Sequence, residues 1–330
     1  MPVEMTHTER IQAVLRGEDV DRIPVSMWRH FYSEETSAES LAEEMLNFQS
    51  QFDWDFMKVN PRASYHVEDW GVKTKYNGDA PPVVIETPIK TPGDWLKLKV
   101  LNLNKGILKE HLVSLELIAR RVKGKEPVIM TVFTPISIAS RLVDSEKVFL
   151  NHLREHPDKV DYGLEVITET FAKFSGACLE RGASGIFHAT TGWATIDQVS
   201  EKEYREFARP HELNLLHAIT TAQFNVMHVC RQNNLLRAVK DYPVQAFSWD
   251  PRAKGNPSLA EGKKMLGRRA VIGGIAQDKS LVEATPLQLA AEIKGMQVAM
   301  GKKGWILGPG CTFPPETPRA NLQAIRDAVD

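Results

Sequence analysis

The sequence predicts an α/β protein of the (β/α)8 barrel class, also called a TIM barrel, built as a single domain. Short apolar runs alternate with longer helical patterns along a chain of 330 residues, a length that suits one such barrel. Strands that alternate with helices form parallel sheets, and eight strands close a barrel. No linker, low-complexity segment or fixed-period repeat divides the chain, so one domain is the simplest interpretation.

The predicted strands are apolar runs rich in β-branched and aromatic residues, which fit a buried parallel sheet. They span residues 23–28, 56–60, 128–133, 185–188, 224–230, 244–249, 270–275 and 305–307. Between them, apolar side chains recur at helical spacing. The helical patterns cover residues 40–51, 107–121, 161–181, 201–221, 259–266 and 287–300. Residues 65–105 interrupt this alternation with turn-rich sequence, and predict an inserted hairpin and loop near the barrel mouth.

Composition and charge exclude several classes of function. With 42% hydrophobic residues, 25% charged residues and a formal net charge of -1, the chain lacks the basic surface that binds nucleic acid. No apolar run is long enough to cross a membrane, and the polar N-terminus lacks the apolar core of a signal peptide. An odd number of cysteines, 3, argues against a disulfide framework. We therefore expect a cytoplasmic protein.

In a barrel enzyme the catalytic groups come from the carboxyl ends of the strands, so polar and aromatic residues there are candidates. Four polar residues are predicted catalytic groups, and three tryptophans are predicted walls of a pocket for a flat ligand. They are Arg29, Asn60, His188 and Asp250, and Trp28, Trp193 and Trp249. Salt bridges, helix caps or rim packing would account equally well for such residues.

Three further residues predict a metal site. His228 and Cys230 are two residues apart in a predicted strand, where alternate side chains point to one face, and Cys311 follows the last strand in the turn GPGCTFPP (308–315). An imidazole and two thiolates suit catalytic zinc, which keeps a fourth position open, and we expect their donor atoms within about 4 Å of one another. The alternative is three ordinary buried groups, the interpretation that the helical pattern favours for Cys178.

Both ends of the chain resemble a known family. The opening, TERIQAVLRG (8–17) followed by DRIPV (21–25), is similar to the opening of the uroporphyrinogen decarboxylase superfamily. The close, GCTFPPETPRANL (310–322), is similar to the end of the same superfamily. The resemblance spans essentially the whole chain and implies a (β/α)8 barrel with its active site at the mouth.

The decarboxylases proper resemble this chain only in part. Arg29 falls where their N-terminal arginine segment begins, but the second arginine of that segment is not reproduced. Their central aspartate, which binds pyrrole N–H groups, corresponds to Asn60, and their Gly-His-Gly turn reads Gly308-Pro309-Gly310 here. A substrate rich in carboxylates needs several cationic partners and an acceptor for its N–H donors, and these positions are largely lost.

The methylcobalamin:coenzyme M methyltransferases of the same superfamily resemble the chain where the decarboxylases do not. They carry a His-x-Cys pair on the fifth strand and a Gly-Cys-x-x-Pro-Pro-x-Thr-Pro segment after the last strand, which together hold a catalytic zinc. His228, Cys230 and Cys311 fall on these positions. Arg231 is a departure, because that branch usually has glycine there. It is a candidate to bind an anionic substrate group or to mark a subfamily with another acceptor.

The resemblance implies a zinc-dependent methyltransferase of a corrinoid system, which moves a methyl group between a methyl-corrinoid protein and a small thiol or other acceptor. Zinc makes a thiol a good nucleophile at neutral pH. No corrinoid-binding domain is evident in the sequence, so the corrinoid would arrive on a partner protein. Two alternatives stay open: a uroporphyrinogen decarboxylase of tetrapyrrole biosynthesis with a diverged site, and a non-catalytic barrel that binds a small molecule or a partner.

Overall fold

A computed structural model describes residues 4–330 and has a curled parallel sheet surrounded by helices. Its strands are β1 Met57–Val59, β2 Lys73–Lys75, β3 Val83–Glu86, β4 Val128–Phe133, β5 Gly185–Ala189, β6 Val226–Val229, β7 Ala246–Trp249, β8 Ala270–Ile275 and β9 Trp305–Pro309. The main sheet has the order β1-β4-β5-β6-β7-β8-β9, and every neighbouring pair in it is parallel. The α/β class and the parallel order agree with the sequence prediction.

Helices connect the strands, and the long ones lie where the sequence predicts them. They are α1 His7–Arg16, α2 Ala38–Phe52, α3 Tyr65–Glu68, α4 Gly106–Val122, α5 Pro135–Ala139, α6 Glu146–Glu155, α7 Pro157–Glu180, α8 Glu201–Glu203, α9 Arg209–His217, α10 Leu236–Val239, α11 Leu259–Leu266, α12 Lys279–Glu283, α13 Pro286–Met300 and α14 Arg319–Asp327. A π-helical turn, Tyr204–Ala208, joins α8 to α9. Within residues 4–330, no helix combines the length and the apolar character that crossing a membrane requires.

The predicted first strand, residues 23–28, is the main correction to the fold. Val25 forms only an isolated parallel bridge with Leu307. Pro24 has no N–H to donate, and the N–H of Val25 donates to the side chain of Asp55 (2.8 Å) instead of to a neighbouring strand. Backbone hydrogen bonds still join residues 24–26 to both edges of the sheet, from Ser26 to Leu307 (3.1 Å) and from Asp55 to Val25 (2.9 Å).

Two apolar layers cover the two faces of the sheet. One layer lies inside the curled sheet and takes alternate residues from the strands, as the two-residue period of a strand requires. Its members include Trp28, Phe56, Ile129, Phe187, Val226, Ala246, Ala270, Ile272 and Ile306. The other layer fills the space between the sheet and the helices, and includes Met57, Met130, Ile186, Met227, Phe247, Trp249 and Val271. The side of the sheet that a residue faces therefore decides whether it can take part in an interior site.

The end of the sheet opposite to the strand carboxyl ends is covered by α1. A capping box between Thr6 and Glu9 begins this helix, and Gly17 ends it in the left-handed region with φ 73°. Its buried residues Ile11 and Val14 belong to the same apolar cluster as the interior of the sheet. The interior is consequently accessible only from the carboxyl ends of the strands in the part of the chain that the structure describes.

The predicted interruption at residues 65–105 contains the antiparallel pair formed by β2 and β3. The loop between them lies close to Tyr32, because Asn77 and Ala80 line a groove together with Tyr32. All four residues of β3 are exposed. The hairpin is found as expected, whereas its being an insertion stays a prediction.

Candidate metal centre and its cavity

The three predicted metal ligands lie together at the carboxyl ends of β6 and β9. His228 is an interior residue of β6, and Cys230 follows the strand on the same face. Gly310 begins the turn after β9 that carries Cys311. A Cβ atom at Gly310 would lie 2.8 Å from Cβ of Asp250 and 2.9 Å from Oε1 of Gln277, so only glycine fits there. The close packing of this turn fixes Cys311 opposite β6.

The distances within this group suit one shared ion. The Sγ atoms of Cys230 and Cys311 are 3.8 Å apart, and the ligand atoms of all three residues lie within 4.8 Å of one another. Ligands of a tetrahedral zinc are separated by about 3.5 Å, so a modest contraction would complete the site. His228 Nδ1 lies 3.1 Å from Ser248 Oγ, whereas its buried Nε2 has no hydrogen-bond partner. A buried nitrogen without a partner is unfavourable unless something binds it.

The two thiols differ in acidity because they interact directly. A hydrogen bond from Cys230 holds the pKa of Cys311 well below its usual range; burial opposes this effect and the charge of His228 adds to it. The pKa of Cys230, which donates that hydrogen bond and is partly buried, lies well above its usual range. One thiolate is therefore readily formed in the metal-free protein, and a bound cation would favour the second.

A cavity of about 650 Å³ opens beside these three residues. Its walls combine aromatic rings, two arginines and a lysine, including Trp28, Phe133, Phe187, His30, Tyr32, Lys58, Asn60, Arg141 and Arg231. Such a volume holds a small molecule, and its few polar groups would fix the orientation of that molecule.

The remaining predicted site residues divide between the two faces of the sheet. Trp28 and Asn60 line the cavity. His188 and Trp249 do not, because their strand neighbours Phe187 and Ser248 occupy the interior positions and the side chains of a strand alternate. His188 is fully buried with both ring nitrogens unpaired, and Trp249 Nε1 donates to the carbonyl of Pro257 (2.8 Å).

The other three predicted residues have structural contacts at the rim. Trp193 packs against Phe149 with ring centroids 4.9 Å apart and donates to Ser140 Oγ, outside the cavity wall. Arg29 donates to the carbonyl of Pro315 (2.6 Å). Asp250 accepts a hydrogen bond from Gln277 and packs against the turn that holds Cys311. These contacts position the site, and none of the three side chains forms part of the cavity lining.

Arg231 adopts a backbone conformation that favours glycine. Its φ is 73°, in the left-handed region, where a side chain is strained. Glycine would adopt this conformation without strain, and the guanidinium of Arg231 lines the cavity. Strain retained at a site is a reason to examine that residue for function.

Two polar features of the cavity were missed in the sequence. The first is Lys58, which is only 4% exposed. Its Nζ donates a hydrogen bond to Asn60 Oδ1 (2.7 Å) and lies 4.7 Å from the ring centroid of Phe187. Strand alternation from Asn60 could have indicated it, since the two residues share a face. His30 pairs with Glu35, a buried carboxylate five residues later in a turn that no sequence pattern indicated.

Burial lowers the pKa of Lys58 to about 7, against 10.5 for an ordinary lysine. Below the lowered pKa the buried ammonium destabilises the folded state fully, and this effect fades as the pH rises toward 10.5. Lys58→Met should therefore raise the free energy of unfolding of the metal-free protein more at about pH 6 than at about pH 9, by about 2–3 kcal/mol. Urea unfolding at both pH values measures this difference. Lys294→Met, at an exposed position of α13, should show no such difference, and an equal gain in both variants would contradict the prediction.

A model of the family described as uroporphyrinogen decarboxylase (URO-D) matches residues 6–330. The chain belongs to the uroporphyrinogen decarboxylase family. The match spans all the elements described above, from α1 to α14. It confirms the family that the two ends of the sequence indicate.

The curated relatives of this uroporphyrinogen decarboxylase family member include both kinds of enzyme. The chain is 26% identical to methylcobamide:CoM methyltransferase MtaA of Methanosarcina barkeri over 251 residues, 76% of this chain and 71% of the relative. It is 23% identical to methylcobamide:CoM methyltransferase MtbA of Methanosarcina acetivorans, over 98% of this chain and 97% of the relative. A uroporphyrinogen decarboxylase of Sorangium cellulosum is 26% identical over 76% of this chain and 71% of the relative.

A solved structure agrees with the architecture. The structure of a methyltransferase from Methanosarcina mazei superposes with a TM-score of 0.85 over 98% of each chain, at 23% sequence identity. At this identity the likeness establishes the fold, and the chemistry must be argued from the site itself.

Proposed function

We propose that this family member is a zinc-dependent methyltransferase of a corrinoid system, which transfers a methyl group between a methyl-corrinoid protein and a small thiol or similar acceptor. The observation that carries the proposal is the group formed by His228, Cys230 and Cys311, with an unpaired imidazole nitrogen, at the wall of an open cavity. The names of the methyltransferase relatives support it.

The donor set fits zinc. Two thiolates and one imidazole are preferred zinc ligands, and three protein ligands leave a position for a substrate atom. When bound, zinc would supply an electrophilic centre that lowers the pKa of an acceptor thiol. Ser248, through its hydrogen bond with Nδ1, would hold the ring of His228 so that Nε2 faces the ion.

The cavity fits a small acceptor. Lys58 places an amine at the buried side of the cavity, and Arg141 and Arg231 also line the cavity. Trp28 and Phe187 form aromatic walls beside the Lys58 amine. These groups suit a molecule with an apolar part and an anionic end. The methyl corrinoid would be presented by a partner protein at the carboxyl ends of the strands, where the cavity opens. As part of the same proposal, we place the protein in the cytoplasm, where thiols stay reduced.

The architecture completes the proposal. We infer one domain, a (β/α)8 barrel in which residues 24–26 take the position of the eighth strand between β9 and β1. The hydrogen bonds of these residues with Leu307 and Asp55 support this inference. The hairpin of β2 and β3 would then be an insertion at the barrel mouth.

Zinc loading and a single turnover test the proposed function together. The protein, stripped of metal and reloaded, should hold about one zinc per chain. With methylcobalamin as donor and coenzyme M as thiol, it should convert the methyl–cobalt absorbance to that of the demethylated cobalamin. The stripped protein is the control and should be inactive until zinc is restored. Failure of the reloaded protein to bind zinc or to transfer methyl would overturn the proposal.

Decarboxylation of uroporphyrinogen should be absent. The Oδ1 of Asn60 accepts a hydrogen bond from Lys58 (2.7 Å), so it is not free for pyrrole N–H groups. Among the described residues that line the cavity, Asp278 is the one carboxylate, and its Oδ1 caps α12 through Ser280. A neutral amide cannot stabilise positive charge on a tetrapyrrole as a carboxylate does. Incubation with uroporphyrinogen, followed by chromatography of the products, measures decarboxylation. Any decarboxylated product formed at catalytic rates would favour the uroporphyrinogen decarboxylase function instead.

A further inference from the structure

A histidine and a glutamate form a pair in the wall of the cavity. His30 Nδ1 lies 2.5 Å from Oε1 of Glu35, a residue that is 2% exposed. The backbone N–H of Phe31 donates to the same oxygen (3.0 Å), and that of Ala63 donates to the other oxygen (3.2 Å). These donors hold the carboxylate in one orientation. Because Glu35 accepts from Nδ1, the proton of the neutral imidazole is on Nδ1 and Nε2 carries the free electron pair.

The second nitrogen of His30 is available. Among residues 4–330 its Nε2 has no hydrogen-bond partner, and the side chain lines the cavity. The ring of Tyr32 stacks on the imidazole with 5.0 Å between centroids and 9° between planes, which limits rotation of the ring. A base that is oriented by a buried carboxylate and has one free nitrogen has the arrangement of a general base.

The segment that carries His30 is bonded to the turn that carries Cys311. The N–H of Phe313 donates to the carbonyl of Trp28 (3.3 Å), and Arg29 Nη1 donates to the carbonyl of Pro315 (2.6 Å). His30 and Cys311 therefore lie on adjacent segments that line one cavity. A small acceptor placed against the two thiols would lie in the cavity that His30 also lines.

We propose that His30, oriented by Glu35, is the catalytic base that takes the proton from the thiol of the methyl acceptor, an inference that rests on the proposed function. The S–H bond breaks and its proton goes to His30 Nε2. The sulfur electron pair forms the new S–C bond, the C–Co bond of the methyl corrinoid breaks, and its electron pair stays on cobalt, which is reduced from Co(III) to Co(I). The proton then leaves His30 for solvent at the mouth.

The other polar groups around His30 are less suited to this task. Arg29 precedes His30, Arg62 donates to the backbone carbonyl of Glu35, and Arg141 lies in the cavity wall; guanidinium groups remain protonated. Burial, and after it the negative charges of Glu35 and of Asp79 in the hairpin loop, raise the pKa of Tyr32 to about 12, so its hydroxyl stays protonated.

Lys58, which also lines the cavity, is the competing base, and Asp278 is engaged as a helix cap. Lys58→Met therefore belongs in the experiment. If Lys58 were the base, its replacement rather than that of His30 would remove the proton transfer.

Single-turnover rates with zinc-loaded protein test the proposal. His30→Gln should lower the rate of thiol methylation by about 100-fold, and Glu35→Gln should lower it in the same direction, because general bases contribute about 10²–10⁴. Zinc content and melting temperature, measured beside the rates, should remain those of the parent. His217→Gln, at an exposed position of α9, is the matched control and should keep the parent rate.

Proton release gives a readout that does not depend on turnover. With coenzyme M added to zinc-loaded protein at about pH 7.5 and no corrinoid present, the parent should release clearly less than one proton per thiol bound, because His30 retains part of it. His30→Gln should release about one. A second test is His30→Ala, whose lost rate should be restored by imidazole added to the buffer, whereas Lys58→Met should keep the retained proton.

The outcomes separate the two proposals. Parent-like rates and parent-like proton release in His30→Gln, with zinc and methyl transfer intact, overturn the role of His30 and leave the proposed function standing. If Lys58→Met no longer retains the proton, Lys58 is the base, and the role of His30 is overturned in this case as well. Absence of zinc or of methyl transfer in the parent overturns both proposals. If His30→Gln fails to fold, Glu35→Gln and the imidazole experiment decide.

Discussion

Cys311→Ser should bind zinc at least about 100-fold more weakly than the parent and lose thiol methylation in parallel, because a hydroxyl is a harder and poorer zinc ligand than a thiolate. Cys311 is partly exposed at the cavity, its Sγ is 3.8 Å from that of Cys230, and its low pKa makes it the first thiolate of the pair. The fold of the metal-free variant should be unchanged, since the turn is held by backbone hydrogen bonds of Gly310 and Phe313. Zinc titration and thermal melting of the metal-free protein measure the two effects.

Cys178→Ser is the matched control for this experiment. Cys178 is fully buried in α7, and burial raises the pKa of its thiol well above the usual range. A hydroxyl in that apolar position should destabilise the protein by about 1–3 kcal/mol while zinc affinity stays unchanged. If instead Cys311→Ser kept its zinc and lost stability, Cys311 would be a packing residue and the methyltransferase proposal would lose its main support.

Asp55→Ala should reduce the free energy of unfolding by about 3–5 kcal/mol, because it removes one partner from a buried ion-pair network and leaves the others uncompensated. Asp55 is fully buried and accepts from Arg10 (2.6 Å) and Arg22 (2.7 Å). It also accepts from the N–H of Val25 (2.8 Å), so the change removes a support of the segment that joins the two edges of the sheet. Asp53→Ala, at a largely exposed carboxylate, should change stability by less than about 1 kcal/mol.

The effect of Asp55→Ala should depend on pH. Burial opposes ionisation of Asp55, but the hydrogen bond from His7 and the charge of Arg22 outweigh burial, and the pKa lies below its usual 3.8. A carboxylate with a lowered pKa stabilises the folded state above its unfolded pKa and loses this contribution as the pH falls through the folded value. Urea unfolding should therefore separate parent and variant more at about pH 7 than at about pH 3. An equal difference at both values would show that packing, rather than charge, explains the loss.

Seven of the eight predicted strands are present in the structure. They could be predicted because buried parallel strands are short apolar runs separated by helices, and local sequence is enough to show this pattern. The exception is the run 23–28. Its hydrophobic character is that of a strand, but the bond from Val25 to Asp55 joins residues thirty positions apart in the chain, and Pro24 removes a donor. Long-range contacts of this kind leave no local signal.

The site was predictable where it depended on spacing. His228 and Cys230 share a face because they are two residues apart, and the glycine-rich turn after the last strand indicated Cys311. His188 and Trp249 were misplaced because periodicity does not tell which of two alternating sets faces inward; that depends on the register of the sheet. Glu35 was missed because its contact with His30 depends on a turn between the two residues that no sequence pattern indicated.

Under the proposed function, the helix α1, which covers one end of the sheet, would impose an order on the reaction. Ile11 and Val14 close that end, so every reactant must use the opening beside Cys230 and Cys311. A carrier protein bound there would block both entry of the acceptor and escape of the methylated product. The acceptor would therefore bind first and the product would leave last. Kinetics should follow a compulsory order, with inhibition at high carrier concentration because a carrier that docks early excludes the acceptor.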